Sequence, residues 1–169
     1  MSLAELKSII KNIKLIVLDV DGVLTDGTLF YSKDGEALKR LNVRDGQGIK
    51  LAQAYGIELA IISGRECEII KNRAKELEIK HVFQHCHDKG NKIKELSNTL
   101  KIPLLEIAYI GDDILDVPPL EIVGLPTCPK DAHPSAISKA KLITEAKGGY
   151  GCVRELIDLI LVEQKKINI

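Results

Sequence analysis

Short aliphatic runs, each closed by a polar or glycine-bearing turn, recur along this chain at 14–18, 59–62, 81–83, 107–110 and, more weakly, 141–144. Unbroken apolar runs of this length suit strands buried on both faces, as in a parallel sheet. Between them the period changes. Ile69, Ile70, Ala74 and Leu77 share one helical stripe over 66–77, and Ile93, Leu96 and Leu100 share another over 89–100. A third stripe follows Gly151, with Val153, Leu156, Ile157, Ile160 and Leu161 at helical spacing. Strand, helix, strand in repetition predicts an α/β protein, a three-layer sandwich around a central parallel sheet with right-handed crossovers. One segment breaks the rhythm. Residues 28–32 and 36–41 flank Lys33-Asp34-Gly35, and Asp-Gly is a strong hairpin signal. Residues 28–41 are therefore expected to form a β-hairpin protruding beyond the first strand, and a lone hairpin must pack on something. No repeat or Pro/Ser-rich linker divides the chain, so residues 1–169 are expected to form a single domain with a tail over 148–169.

Composition narrows the partners. Lys and Arg number 24, as do Asp and Glu, so no net field draws the chain to nucleic acid or to an anionic membrane. Aromatics make up 4% with no Trp, too few for a base-stacking surface. The apolar runs fall far short of the about 20 residues that cross a bilayer, and the N-terminus shows no signal-peptide pattern. A cytoplasmic protein is expected, with no nucleic acid and no membrane among its partners. Cys67, Cys86, Cys128 and Cys152 form no C-x-x-C pair and read as reduced, packed thiols. His81, His85 and His87 lie near Cys86, but their spacing fits no usual structural zinc pattern.

The candidate chemistry collects just past the apolar runs. Asp19-Val20-Asp21-Gly22 follows the first of them directly. Side chains alternate along a strand, so Asp19 and Asp21 are expected to project the same way, where the strand's carboxyl end opens into a crevice. Two acids held together repel unless a cation or a shared proton intervenes. The glycine lets backbone N–H groups approach an anion. Gly111-Asp112-Asp113, with Asp116 beyond, repeats the arrangement after 107–110. If both strands lie centrally, the two clusters face each other as an all-oxygen site, and Mg²⁺ prefers one or two carboxylates plus waters and a substrate phosphate. Asp112 or Asp113 also suits a helix cap. Ser63-Gly64, past 59–62, offers a phosphate a hydroxyl and a permissive backbone. Lys89, near a helix start, offers a compact charge with three donors.

This ordered series resembles the haloacid dehalogenase superfamily of phosphatases. Asp19-x-Asp21-Gly22 matches its first motif, Ser63 its second, Lys89 its third and Gly111-Asp112-Asp113 its fourth. The resemblance implies a Rossmann-like fold and a set of roles. Asp19 would be the nucleophile that forms an aspartyl-phosphate, and Asp21 the general acid and then the base. Mg²⁺ would be held by Asp19, the backbone carbonyl of Asp21, and Asp112, supported by Asp113. Ser63 and Lys89 would neutralise the phosphoryl oxygens, with Gly22 and Gly64 alongside the substrate. Many relatives insert a cap domain after the first or third motif, but the hairpin and one helix use up the first interval and one helix and a strand the second. An uncapped site is expected, closed against water by the hairpin and a neighbouring subunit.

A closer likeness runs over nearly the whole chain. Asp-Gly-Val-Leu-Thr-Asp-Gly at 21–27, Val-Arg-Asp-Gly-Gln-Gly-Ile at 43–49, Ser-Gly-Arg at 63–65 and Gly-Gly-Tyr-Gly-Cys-Val-Arg-Glu at 148–155 look like the 3-deoxy-D-manno-octulosonate 8-phosphate phosphatase family. That likeness implies a small sugar acid phosphate as substrate, a place in lipopolysaccharide precursor synthesis, and a homotetramer whose hairpins meet centrally. Cys152 and the segment 125–128 depart from the family pattern without touching the four motifs. A sugar acid carries a carboxylate that a guanidinium can grip in a bidentate fork. Arg65 is placed for this, Arg73 lies two turns along the same helix, and Arg154, past a glycine hinge at 148–151, could charge an adjacent site. Other readings compete. Relatives acting on 2-keto-3-deoxynononate 9-phosphate tend to have Glu where Arg65 stands. A signalling receiver domain carries its acceptor Asp on a later strand, and a non-catalytic assembly module of a sialic-acid-activating system often has damaged motifs.

Overall fold

All five apolar runs become strands of one parallel sheet, and a sixth strand joins them. The computed structural model describes residues 2–168. Chain order begins α1 (Leu3–Lys11), β1 (Leu15–Leu18), β2 (Phe30–Ser32), β3 (Gly35–Leu38), α2 (Val43–Ala54), β4 (Glu58–Ile62), α3 (Glu68–Glu76), β5 (His81–Phe83) and α4 (Lys89–Leu100). It continues through β6 (Ile107–Ile110), α5 (Val117–Ile122), β7 (Leu125–Cys128), α6 (Pro134–Ile137), β8 (Leu142–Ile143) and α7 (Cys152–Glu163), with short 3-10 turns at Leu104–Glu106 and Ile114–Asp116.

The sheet order β5-β4-β1-β6-β7-β8 sets β1 beside β6 at the centre, with Leu18 level with Ile110. Strand parity divides the core. Ile16 and Leu18 of β1 pack with buried residues of α1, α2, α3 and α7 on one face. Leu15 and Val17 pack with those of α4, α5 and α6 on the other. A residue that continues the odd parity past Leu18 therefore emerges on the face covered by α4. β2 and β3 form the expected antiparallel hairpin as a separate two-stranded sheet.

β7 escapes a reading by apolar run because Pro126 interrupts it. Its carbonyl accepts from the Lys141 N–H on the β8 side, and β8 begins only at Leu142. The missing proline N–H thus leaves no ladder partner unmet. α2 is the helix expected between the hairpin and β4; glycines dilute its apolar stripe and so hide its bounds, and each glycine has a packing reason. A Cβ on Gly46 would stand 2.3 Å from Arg73 Nη2, and one on Gly48 would stand 2.9 Å from Arg154 Cδ. Just before them Asp45, 1% exposed, accepts the Arg154 N–H at 2.7 Å and caps α7, whose own N-cap Gly151 offers no side chain.

The segment 148–151 is a packed seam and not the free hinge expected. A Cβ on Gly148 would lie 1.8 Å from the Gly22 carbonyl, and the Gly149 N–H donates to the Val23 carbonyl at 2.8 Å. The seam ties α7 to the loop that follows β1. Glycine is required here by close backbone approach.

Candidate active site

Asp19 keeps the odd parity of Leu15 and Val17, and its N–H extends the ladder by donating to the Ile110 carbonyl at 3.0 Å. It therefore meets α4, whose first residue is Lys89. Asp88 fixes that helix start by accepting the Asn91 N–H at 3.0 Å. The Lys89 ammonium donates to Asp19 Oδ1 at 2.7 Å and to Asp116 Oδ1 at 2.6 Å. Asp19, Lys89 and Asp116 are 6%, 4% and 1% exposed, so the charges compensate each other inside the protein. Asp116 is held from every side. Its Oδ1 also accepts from the Tyr109 hydroxyl, and its Oδ2 accepts the N–H groups of Asp112 and Asp113 at 2.8 and 3.0 Å.

Asp112 completes the cluster without a partner of its own. Oxygens of Asp19, Asp112 and Asp116 all lie within 4.8 Å of one another, and Asp112 Oδ1 is buried with no hydrogen bond. Gly22 makes this approach possible: a Cβ there would sit 2.0 Å from Asp112 Oδ2, and its φ of +89° suits glycine. Burial, then the negative charge of Asp116, pushes the Asp19 carboxyl up to about 6 despite the opposing pull of Lys89. Burial, then Asp19, Asp116 and Asp113, pushes Asp112 up to about 8. Three carboxylates thus share one ammonium, and the orphaned oxygen of Asp112 aims at the deficit. Their donor set fits a hard divalent cation such as Mg²⁺.

Comparison with known proteins agrees with this geometry. A family model described as haloacid dehalogenase-like hydrolase matches residues 81–156. The 3-deoxy-D-manno-octulosonate 8-phosphate phosphatase of Escherichia coli K12 is 42% identical over 158 residues, covering 94% of this chain and 84% of that protein. The chain belongs to this phosphatase family. Among solved structures, the Moraxella catarrhalis phosphatase in complex with magnesium, phosphate and the sugar acid superposes with a TM-score of 0.94 at 37% identity. That match covers 97% of this chain and 94% of the other. The cobalt-bound Haemophilus influenzae enzyme superposes with a TM-score of 0.91 at 37% identity, covering 94% and 92%.

Measured against the family motifs, the structure brings some expected residues together and turns others away. Ser63 follows β4 at the same sheet edge as Asp19; its N–H donates to the Phe83 carbonyl and its Oγ accepts the Arg65 N–H at 3.2 Å. Beside it, Gly64 is half-buried, with nothing nearer than the Cys86 carbonyl, 3.9 Å from a built Cβ. Asp21 does not join the buried acids as its parity suggested, because the strand ends at Leu18 and the chain turns. Its carboxylate instead meets the Lys39 ammonium of the hairpin, and Arg65 Nε stands 3.7 Å away. Asp113 is exposed and caps the turn at Ile114–Asp116, accepting the Ile114 N–H at 2.7 Å. Arg73 pairs with Glu76 at 2.8 Å and Arg154 with Asp158 at 2.8 Å, so neither guanidinium reaches the cluster within this chain.

Sequence reasoning gave no role to Tyr109, Lys39 or Glu36, and placed Asp116 in the second acidic cluster without a task of its own. Only Asp116 left a signal, one helical turn past Asp112.

The raised carboxyls of Asp19 and Asp112 predict a pH signature. A folded-state value above the ordinary 3.8 means that the folded chain holds protons the unfolded chain has lost. Without divalent cation, stability therefore falls as pH rises from 3.8 towards about 8. Asp112→Asn should raise the metal-free Tm at alkaline pH, by about 2–4 °C for each kcal/mol relieved, and should flatten that decline. A lowered Tm in the variant would contradict this account of the site.

Proposed function

We propose that this phosphatase hydrolyses 3-deoxy-D-manno-octulosonate 8-phosphate with Mg²⁺, using Asp19 as the nucleophile. One observation carries the reading: Asp19 is buried at the end of the central strand, 2.7 Å from an ammonium and within reach of an acid with an unpartnered oxygen. The Asp19 carboxylate attacks phosphorus, the bond from phosphorus to the sugar oxygen breaks, and Asp21, as general acid, delivers a proton to that oxygen. A water then attacks the phosphorus of the Asp19 acyl phosphate while Asp21 takes the proton back, releasing phosphate and restoring both acids. Asp19, the Asp21 carbonyl and Asp112 would hold Mg²⁺, which would supply the positive charge that lets a carboxylate approach a phosphate. Asp113, committed to its cap, would act through its charge alone. Lys89 and Ser63 neutralise the phosphoryl oxygens as the transition state loosens. Arg65, 42% exposed along its side chain beside Asp21, is placed for the sugar acid.

The identity of the relatives and the intact four motifs support this substrate and its link to lipopolysaccharide precursors. We also read residues 1–169 as one cytoplasmic catalytic unit that works as a homotetramer with its hairpins packed centrally. Among the described residues no helix is long and apolar enough to cross a membrane. Leu29, Phe30, Tyr31 and Leu38 stand exposed on and beside a two-stranded hairpin that would be marginal alone. The mass in solution should be that of four chains, and Phe30→Asp with Leu38→Asp should lower it. A wild-type monomer would contradict the assembly.

The chemical reading is tested on a panel of sugar acid phosphates with Mg²⁺. The octulosonate 8-phosphate should be hydrolysed best, and Asp21→Asn should slow it by about 10²–10⁴-fold while Mg²⁺ and phosphate still bind. A smaller loss, with chemistry rate-limiting, would contradict the role of Asp21.

A further inference from the structure

Four charged side chains close a ring over the mouth of the crevice. Lys39, whose side chain is 1% exposed, touches Asp21 on one side and stands 2.8 Å from Glu36 Oε1 on the other. Arg65 closes the circuit, with Nη2 3.4 Å from Glu36 Oε2 and Nε 3.7 Å from Asp21 Oδ2. Two cations and two anions alternate, and only Asp21 has a chemical task in the reaction. Glu36 comes from β3 and Arg65 also donates to the Tyr31 hydroxyl of β2 at 3.2 Å, so the ring helps to fasten the hairpin beside Asp21.

The geometry points to Glu36 as a built-in stand-in for the substrate's carboxylate, holding the slot between Lys39 and Arg65 until the sugar acid displaces it. This rests on the sugar acid reading of the site. Three observations carry it. The slot presents an ammonium and a guanidinium together, the pairing that suits a carboxylate. Glu36 fills the slot with imperfect geometry: Oε1 is 2.8 Å from the Lys39 ammonium yet has no well-directed hydrogen bond, and Oε2 accepts only a long one, 3.4 Å, from Arg65. The slot lies at the mouth, beside Asp21 and not among the buried acids. An octulosonate 8-phosphate carries its two anions at opposite ends of an eight-carbon chain, so phosphate at Asp19 leaves the carboxylate to be received further out. Exchange of one carboxylate for another keeps an anion between Lys39 and Arg65, so the buried Lys39 ammonium is not left unpaired. A phosphate ester without a carboxylate leaves Glu36 in place and gains nothing from the slot. Glu36 and Lys39 would thus set specificity, as binding energy available only to a sugar acid.

Glu36→Gln keeps the shape and removes the charge that competes with substrate. KM for 3-deoxy-D-manno-octulosonate 8-phosphate should fall by about fivefold or more relative to KM for p-nitrophenyl phosphate, on the scale of an ordinary coupling between two ligands. The free sugar acid should inhibit the variant correspondingly more tightly. Lys39→Met should do the reverse, raising KM for the sugar acid phosphate more than for p-nitrophenyl phosphate, with matching thermal melts confirming that both variants fold. A Glu36→Gln variant whose two KM values move together, or whose KM for the sugar acid phosphate rises, would overturn the stand-in. A wild-type enzyme with no preference for the sugar acid phosphate over p-nitrophenyl phosphate would defeat the parent reading and this one together. Wild-type preference with an unresponsive Glu36→Gln defeats this one alone.

Discussion

One buried ammonium holds this site together. Lys89 stands between Asp19 and Asp116, and no water-exposed charge can take its place there. Removing one member of such a buried group typically costs about 3–5 kcal/mol, because the partners remain as uncompensated charges. The fold accordingly fixes Lys89 by several means: the Asp88 cap sets the first turn of α4, and Asp116 is clamped by Tyr109 and two backbone N–H groups. Although burial works against its charge, Asp19 and Asp116 together hold the Lys89 ammonium above its ordinary pKa. The lysine stays charged, and Asp19 is presented in a single orientation.

The same enclosure leaves the acids in excess. Asp112 crowds Asp19 across a gap that only glycine at 22 allows, and its spare oxygen has no proton donor. A protein built for stability alone would not keep three carboxylates here. The cost is consistent with a site made to receive a cation and a phosphate together, and the family relationship agrees. The loop carrying Gly22 is in turn pinned by Gly148 and Gly149, whose segment is anchored through Asp45 and the start of α7. The C-terminal helix thereby reaches the chemistry through close backbone contact, joined by the Cys152 thiol on the Val23 carbonyl.

How much of this was legible in the sequence follows from the range of each interaction. β1, β6 and the start of α4 were readable because local apolar runs and a helical period define them, and Asp19, Lys89 and Asp112 each adjoin such an element. β7 was hidden by Pro126, which is tolerated only because β8 starts late. A helix was expected between the hairpin and β4, but the bounds of α2 were blurred by Gly46 and Gly48, whose reasons are Arg73 and Arg154, distant in sequence. The parity argument for Asp21 failed where the strand stopped at Leu18, and its real partner, Lys39, is set by the way a hairpin folds back. Arg73 and Arg154 were candidates for the substrate, but each is engaged along its own helix, by Glu76 at i+3 and Asp158 at i+4, pairs the spacing itself offered. Asp116 was in view beside Asp112 and Asp113, but its role depends on Tyr109 and Lys89 arriving from two other elements.

The central claim is that the carboxylate held by Lys89 is the one that bonds to phosphorus. Rapid acid quench of the enzyme during turnover, followed by borohydride, reduces an acyl phosphate to the alcohol, and peptide mass spectrometry reads its position. Conversion of residue 19 to homoserine, dependent on substrate and on Mg²⁺, is the predicted result. Steady release of phosphate with residue 19 unmodified and the reduced position at Asp112 or Asp116 would contradict the account.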